Sequence, residues 1–159
     1  MSAVSDLSST EVVLDTNAIR KLLVVKDLDE LQKRLRKIRE KCPTIIVPPL
    51  RSEIRYHVPI FLQFRLEISR ELRGKFVDYH NKTFPSNQVK RVEPKLRKCG
   101  MDKNDLTVVE VALRRKRKTS RKVIICSDDP DFKRCIQVLS KLGIDASNVN
   151  DILSKINDC

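Results

Sequence analysis

Three short runs of aliphatic, largely β-branched residues constrain this chain most: Val12-Val13-Leu14, Thr44-Ile45-Ile46-Val47 and Val123-Ile124-Ile125-Cys126. Each is too short for a helix and lacks the polar alternation of a half-exposed strand, so each reads as a strand buried on both faces. Between them lie segments of helical spacing. Leu28, Leu31, Leu35 and Ile38 mark a helix over 27–41, with Lys33, Arg34, Arg36, Lys37 and Arg39 on its outer side. Leu106, Val109 and Leu113 mark another over 102–118. Shorter helices are expected over 16–25, 50–57 and 148–156. Pro59 separates the second of these from a helix running on to Asp78. Pro130 opens a helix closed by Gly143. Gln88 to Val92 reads as an edge strand. Strands alternating with helices predict an α/β domain around a mainly parallel sheet. The chain has 159 residues, enough for one core. Residues 1–10 read as a flexible N-terminus and 11–159 as the single domain.

In such a fold the functional groups gather beyond the carboxyl ends of the strands. The first run ends in Asp15-Thr16-Asn17, and the third in Ser127-Asp128-Asp129-Pro130-Asp131-Phe132. Glu53 stands one helical turn past the second run, and Asp105 in the first turn of the helix opened by Asp102. Four segments can therefore deliver carboxylates to one sheet edge. Each acid alone has an ordinary structural role. Asp15 can cap the next helix, Asp129 before Pro130 has the form of an N-cap, and Asp102 with Asp105 has the spacing of a capping box. Glu53 can be a solvated helix residue. Together, the four would repel one another unless a cation lay between them, and oxygen ligands without His or Cys suit Mg²⁺ or Mn²⁺ rather than zinc. His57 and His80 lie in no metal-binding motif and read as solvated.

The net charge is +12, which favours a polyanionic partner, nucleic acid first. With two Tyr, five Phe and no Trp, a base-stacking sheet is poorly supplied, so phosphate capture by Lys and Arg is the expected mode. The densest basic run is Arg114, Arg115, Lys116, Arg117, Lys118, Arg121 and Lys122, seven positions in nine. It exceeds what a helix C-terminus needs and is assigned to a nucleic-acid backbone, which the resemblance described below makes RNA. It lies at the opposite end of the sheet from the acids, where it would hold a distant part of a long substrate.

Only three glycines occur, too far apart for a dinucleotide loop or a P-loop. Five cysteines, an odd number with no C-x-x-C, argue against a disulfide framework or a zinc site and for a reducing, cytoplasmic setting. Cys42 and Cys126 read as small buried residues. The N-terminus has no secretory pattern, and no apolar run is long enough to span a membrane.

Leu14-Asp15-Thr16-Asn17, Val47-Pro48-Pro49-Leu50-Arg51-Ser52-Glu53-Ile54, Asp105 before an apolar helix, and Ile125-Cys126-Ser127-Asp128-Asp129-Pro130-Asp131-Phe132 resemble, in this order, the motifs of PIN-domain ribonucleases. The resemblance covers about residues 11–156 and is that of a stand-alone, VapC-like PIN domain. It implies a three-layer α/β/α sandwich. It also implies metal-dependent endonucleolytic cleavage of single-stranded or unstructured RNA by metal-activated water, with Mg²⁺ or Mn²⁺. By matching motifs, Asp15, Glu53, Asp105 and Asp129 take the metal-binding and catalytic places, and Asn17 and Ser127 the supporting ones. Asp128 adjoins Asp129, so the register between them stays open. Asp102 can replace or assist Asp105, and Asp131 is a further acid of the motif. The implied setting is RNA processing or degradation. The alternatives are a toxin ribonuclease with an antitoxin-like protein partner, or a catalytically silent RNA-binding domain; a homo-oligomer is a further expected assembly. A phosphotransfer domain of the haloacid-dehalogenase type is disfavoured, because Asn17 stands where its second Asp belongs.

Overall fold

The structure is a computed structural model, and it describes residues 7–23, 27–79 and 85–158. The flexible segment expected over 1–10 lies outside these residues up to position 6, as do the end of the helix expected over 16–25 and His80. Leu7 is buried and Thr10 already belongs to a strand, so the ordered domain starts earlier than its polar sequence suggests.

The strands are β1 (Thr10–Leu14), β2 (Thr44–Val47), β3 (Phe76–Asp78), β4 (Lys122–Cys126) and β5 (Ile144–Ser147). They form one sheet in the order β3-β2-β1-β4-β5, with every pairing parallel. The helices are α1 (Thr16–Leu23), α2 (Leu28–Lys41), α3 (Arg51–His57), α4 (Pro59–Leu72), α5 (Asn87–Lys98), α6 (Lys103–Thr119), α7 (Pro130–Arg134), α8 (Ile136–Lys141) and α9 (Val149–Asn157). Helices α1, α2, α3, α4 and α9 pack among themselves, and α5, α6, α7 and α8 among themselves. The sheet lies between these two groups as the middle of an α/β/α sandwich. Its central strands are closed to water on both faces: Val12, Val13, Leu14, Ile45, Ile46, Val47, Val123, Ile125 and Cys126 are fully buried. No helix among the described residues is long and apolar enough to cross a membrane.

Three local expectations are corrected. The helix after Pro59 stops at Leu72, because Arg73 and Gly74 turn to positive φ (40° and 85°) and release the chain into β3. Phe76 and Val77 prolong the apolar spacing of α4, which is why they read as helix. Residues 88–92 are helix α5 rather than strand. Ser86 caps it by accepting from the Val89 N–H, and Val89 and Leu96 bury one face. Pro94 is tolerated there because its side of the helix is exposed. The segment after Pro130 is two helices, broken at the buried Cys135, and β5 follows with Ile144 as its buried anchor.

The cysteines correct another expectation. Cys99 and Cys135 form a disulfide, with Cα atoms 5.6 Å apart, tying the end of α5 to the α7–α8 break. Cys42 is buried and is disulfide-bonded as well. Cys126 is buried with its thiol free, and burial raises its pKa. An odd cysteine count thus does not exclude bridges, and it loses its force as an argument for a reducing compartment.

Candidate metal centre

The chain runs outward from β1 through β2 to β3 on one side and through β4 to β5 on the other. The seam between β1 and β4 is therefore the switch point, where a crevice opens beyond the strand ends. Asp15 follows β1 there, and Ser127 through Asp129 follow β4. The N-terminus of α6 approaches the same place with Asp105. Carboxylate oxygens of Asp15, Asp105 and Asp129 all lie within 4.8 Å of one another. Asp15 and Asp105 are buried and Asp129 is half-buried.

Short-range structure fixes each acid. Asp15 Oδ1 accepts from the Thr16 N–H (2.9 Å), and Oδ2 accepts from the Ser127 hydroxyl (2.8 Å). Ser127 Oγ also accepts from the Asp129 N–H (3.0 Å), so one hydroxyl links the two strand ends. Asp129 caps α7 by accepting from the Asp131 N–H (2.9 Å). Asp102 and Asp105 form a full capping box at the start of α6, with reciprocal bonds of 2.9 and 3.0 Å. The capping roles and the cluster are thus compatible. Each carboxylate oxygen has two lone pairs, so an oxygen that accepts one hydrogen bond can still face the crevice with the other.

The electrostatics record the crowding. Burial is the main cause that raises the Asp15 pKa, and Glu53 and Asp129 add repulsion. Burial likewise pushes Asp105 up to about 7, with repulsion from Asp102, Asp129 and Asp15 added. Two cationic side chains near this edge pair outside the cluster, Lys21 with Asp128 and Arg134 with Asp131. One further observation concerns a ligand directly. Thr16 is 5 % exposed, and its hydroxyl oxygen has no hydrogen-bond partner. Thr16 lines the same open pocket of about 230 Å³ as the three acids. An orphaned buried hydroxyl beside clustered, mutually repelling carboxylates fits a hydrated cation, which would neutralise the acids and give the hydroxyl a partner. The residues present could hold a metal ion on these grounds.

The other expected residues fall into place around this group. Glu53 lines the pocket from α3 and accepts from Asn104 Nδ2, but it is not among the three whose oxygens converge. Asn17 accepts from the Asp128 N–H (3.1 Å) and faces Ser127, so it braces the loop after β4. Asp102 lines the pocket beside its capping partner. Asp128 and Asp129 point in different directions. Asp128 pairs with Lys21, which lowers its pKa, and accepts from the Val149 N–H (2.9 Å). Asp129 faces the cluster. Asp131 bonds Arg134 and stays outside the converging set. Sequence reasoning missed Thr16, Arg20 and Asn104 as pocket residues. His57, read as solvated, is exposed and lines the pocket. The spacing Thr16–Arg20, one turn of α1, was the available signal.

The basic run needs one correction. Arg115 does not reach solvent: it is buried and forms two hydrogen bonds (2.6 and 2.9 Å) to the buried Glu11. Period 3.6 turns one residue of any long helical run toward the sheet, and here that residue is charged. Arg114 and Arg117 pair with Glu110, and Lys122 with Asp145. Gly143 has φ 78°, a backbone that glycine adopts without strain, and the flexible Lys116 stem lies beside it. Lys118 and Arg121 are exposed. The run ends α6 and begins β4, hence it lies at the sheet edge opposite the acids.

No protein-family model matches the chain, and no curated protein matches it in sequence.

Proposed function

We propose that the chain is a metal-dependent endoribonuclease that hydrolyses phosphodiesters of unstructured RNA, with Mg²⁺ or Mn²⁺ held by Asp15, Asp105 and Asp129. The observation that carries the reading is the convergence of these three carboxylates at the switch point beside the orphaned Thr16 hydroxyl. The ordered likeness of the strand-end motifs to PIN-domain ribonucleases supports the substrate class. The net charge of +12 supports a polyanion.

When bound, a divalent ion supplies Lewis-acid activation of water and stabilisation of the leaving oxygen. The protein's own part is positioning. Ser127 locks Asp15 to the loop that carries Asp129, and the capping box locks Asp105, so the three carboxylates need little reorganisation. Glu53, held by Asn104 at the pocket and outside the converging set, is the carboxylate placed to accept a proton from water. A neighbouring pocket of about 260 Å³ shares Asp129 and adds Ser127, Phe132, Lys133 and Ser147, giving room for a nucleotide next to the cut. Lys118, Arg121 and Lys122 hold a remote stretch of the strand, since the exposed Lys122–Asp145 pair exchanges readily for phosphate, whereas Arg114 and Arg117 neutralise the buried Glu110.

The test is cleavage of a short unstructured RNA in Mn²⁺, Mg²⁺ or EDTA. Cleavage requires the ion and is abolished by Asp15→Asn. Undiminished cutting in excess EDTA, or by the variant, refutes the mechanism.

A further inference from the structure

Among the described residues lining the acidic pocket, Arg20 is the one that carries a permanent positive charge. It projects from α1 one turn beyond Thr16 and Asn17, on the side that faces the pocket. Asp15, Glu53, Asp102, Asp105 and Asp129 line the same space. The ordinary fate of an arginine among five carboxylates is a two-bond ion pair with one of them. The acids are instead held by neutral donors: the Thr16, Asp102, Asp105 and Asp131 N–H groups, the Ser127 hydroxyl and the Asn104 amide. None of the ion pairs between described residues uses Arg20, and its side chain is exposed. The guanidinium therefore stands over the pocket with its donors available to an incoming group.

We propose that Arg20 binds the non-bridging oxygens of the substrate phosphate beside the carboxylate cluster, and so selects phosphodiester anions. This rests on the metal-dependent reading above. A phosphodiester approaching these acids is repelled, and a bound divalent ion cancels only part of that field. Arg20 supplies fixed positive charge on the protein side, in a planar fork that matches two phosphate oxygens. Its exposure keeps the cost of holding an unpaired charge low until substrate arrives.

The experiment compares the parent with Arg20→Gln and Arg20→Lys by two readouts: the melting shift caused by Mn²⁺ alone, and kcat/KM for a short unstructured RNA. Arg20→Gln keeps the Mn²⁺ shift and lowers kcat/KM between about tenfold and a hundredfold, the range of one charge-assisted hydrogen bond. Arg20→Lys falls between the two, since it restores charge without the fork. A variant with the parent's kcat/KM overturns the assignment while leaving the metal reading intact. Loss of the Mn²⁺ shift in Arg20→Gln also overturns it, by showing that Arg20 shapes the carboxylate cluster instead. A parent that neither responds to Mn²⁺ nor cuts RNA overturns the metal reading and this inference together.

Discussion

Glu11 and Arg115 give the sharpest quantitative expectation. Glu11 lies in the central strand β1 and Arg115 in the second turn of α6 from its C-terminus; their side chains are 1 % and 9 % exposed. Two hydrogen bonds of 2.6 and 2.9 Å join them. Arg115→Met removes the guanidinium and leaves a carboxylate buried without its counter-charge, a change that costs about 3–5 kcal/mol. At about 2–4 °C per kcal/mol for a domain of this size, the melting temperature falls by roughly 6–20 °C. Glu11→Met strands the other charge and has the same sign. The double variant Glu11→Met with Arg115→Met removes both charges and keeps apolar volume, so most of the loss is recovered. Urea unfolding of the four proteins measures this. If Arg115→Met alone costs less than about 1 kcal/mol, the range of an exposed pair, the burial argument fails and Arg115 returns to the set of residues available to RNA.

Three further expectations concern the acids and the disulfide. Mn²⁺ at a hundredfold excess over its dissociation constant stabilises the parent by about 2.7 kcal/mol; Asp129→Asn abolishes the gain. Asp128→Asn keeps it while losing its pair with Lys21, and the reverse pattern in thermal melts would assign the ligand to Asp128. Metal-free stability declines as pH rises from about 4 to about 7. The folded protein binds protons at Asp105 and Asp15 more tightly than the unfolded chain does there, so raising pH penalises the folded state. Urea midpoints in EDTA at pH 5 and pH 8 test this, with a shallower decline expected for Asp105→Asn; identical slopes would contradict it. The Cys99–Cys135 bridge spans 36 residues, and loop-closure entropy assigns it about 3.8 kcal/mol, so Cys99→Ser lowers the urea midpoint accordingly. An unchanged midpoint in the oxidised protein would deny the bridge that role.

What the sequence alone determined is what local chemistry controls. Runs of β-branched residues without polar alternation could only be buried strands, and β1, β2 and β4 are. Asp102 with Asp105, and Asp129 with Pro130, announced helix starts because capping needs only residues a few positions apart. A parallel α/β order then placed the acids after the strands at one edge. Tertiary structure decided whatever depends on direction or on distant partners. Asp128 and Asp129 are neighbours in sequence, yet the backbone turns one toward Lys21 and the Val149 N–H and the other into the acid cluster. Arg115 looks like its basic neighbours until Glu11, 104 positions away, meets it under the sheet. Strands β3 and β5 carry too few apolar residues to be recognised alone and exist because β2 and β4 offer them open edges. The pairing of Cys99 with Cys135, and the solitary hydroxyl of Thr16, likewise follow from which segments the packed helices bring together, a relation no local pattern encodes.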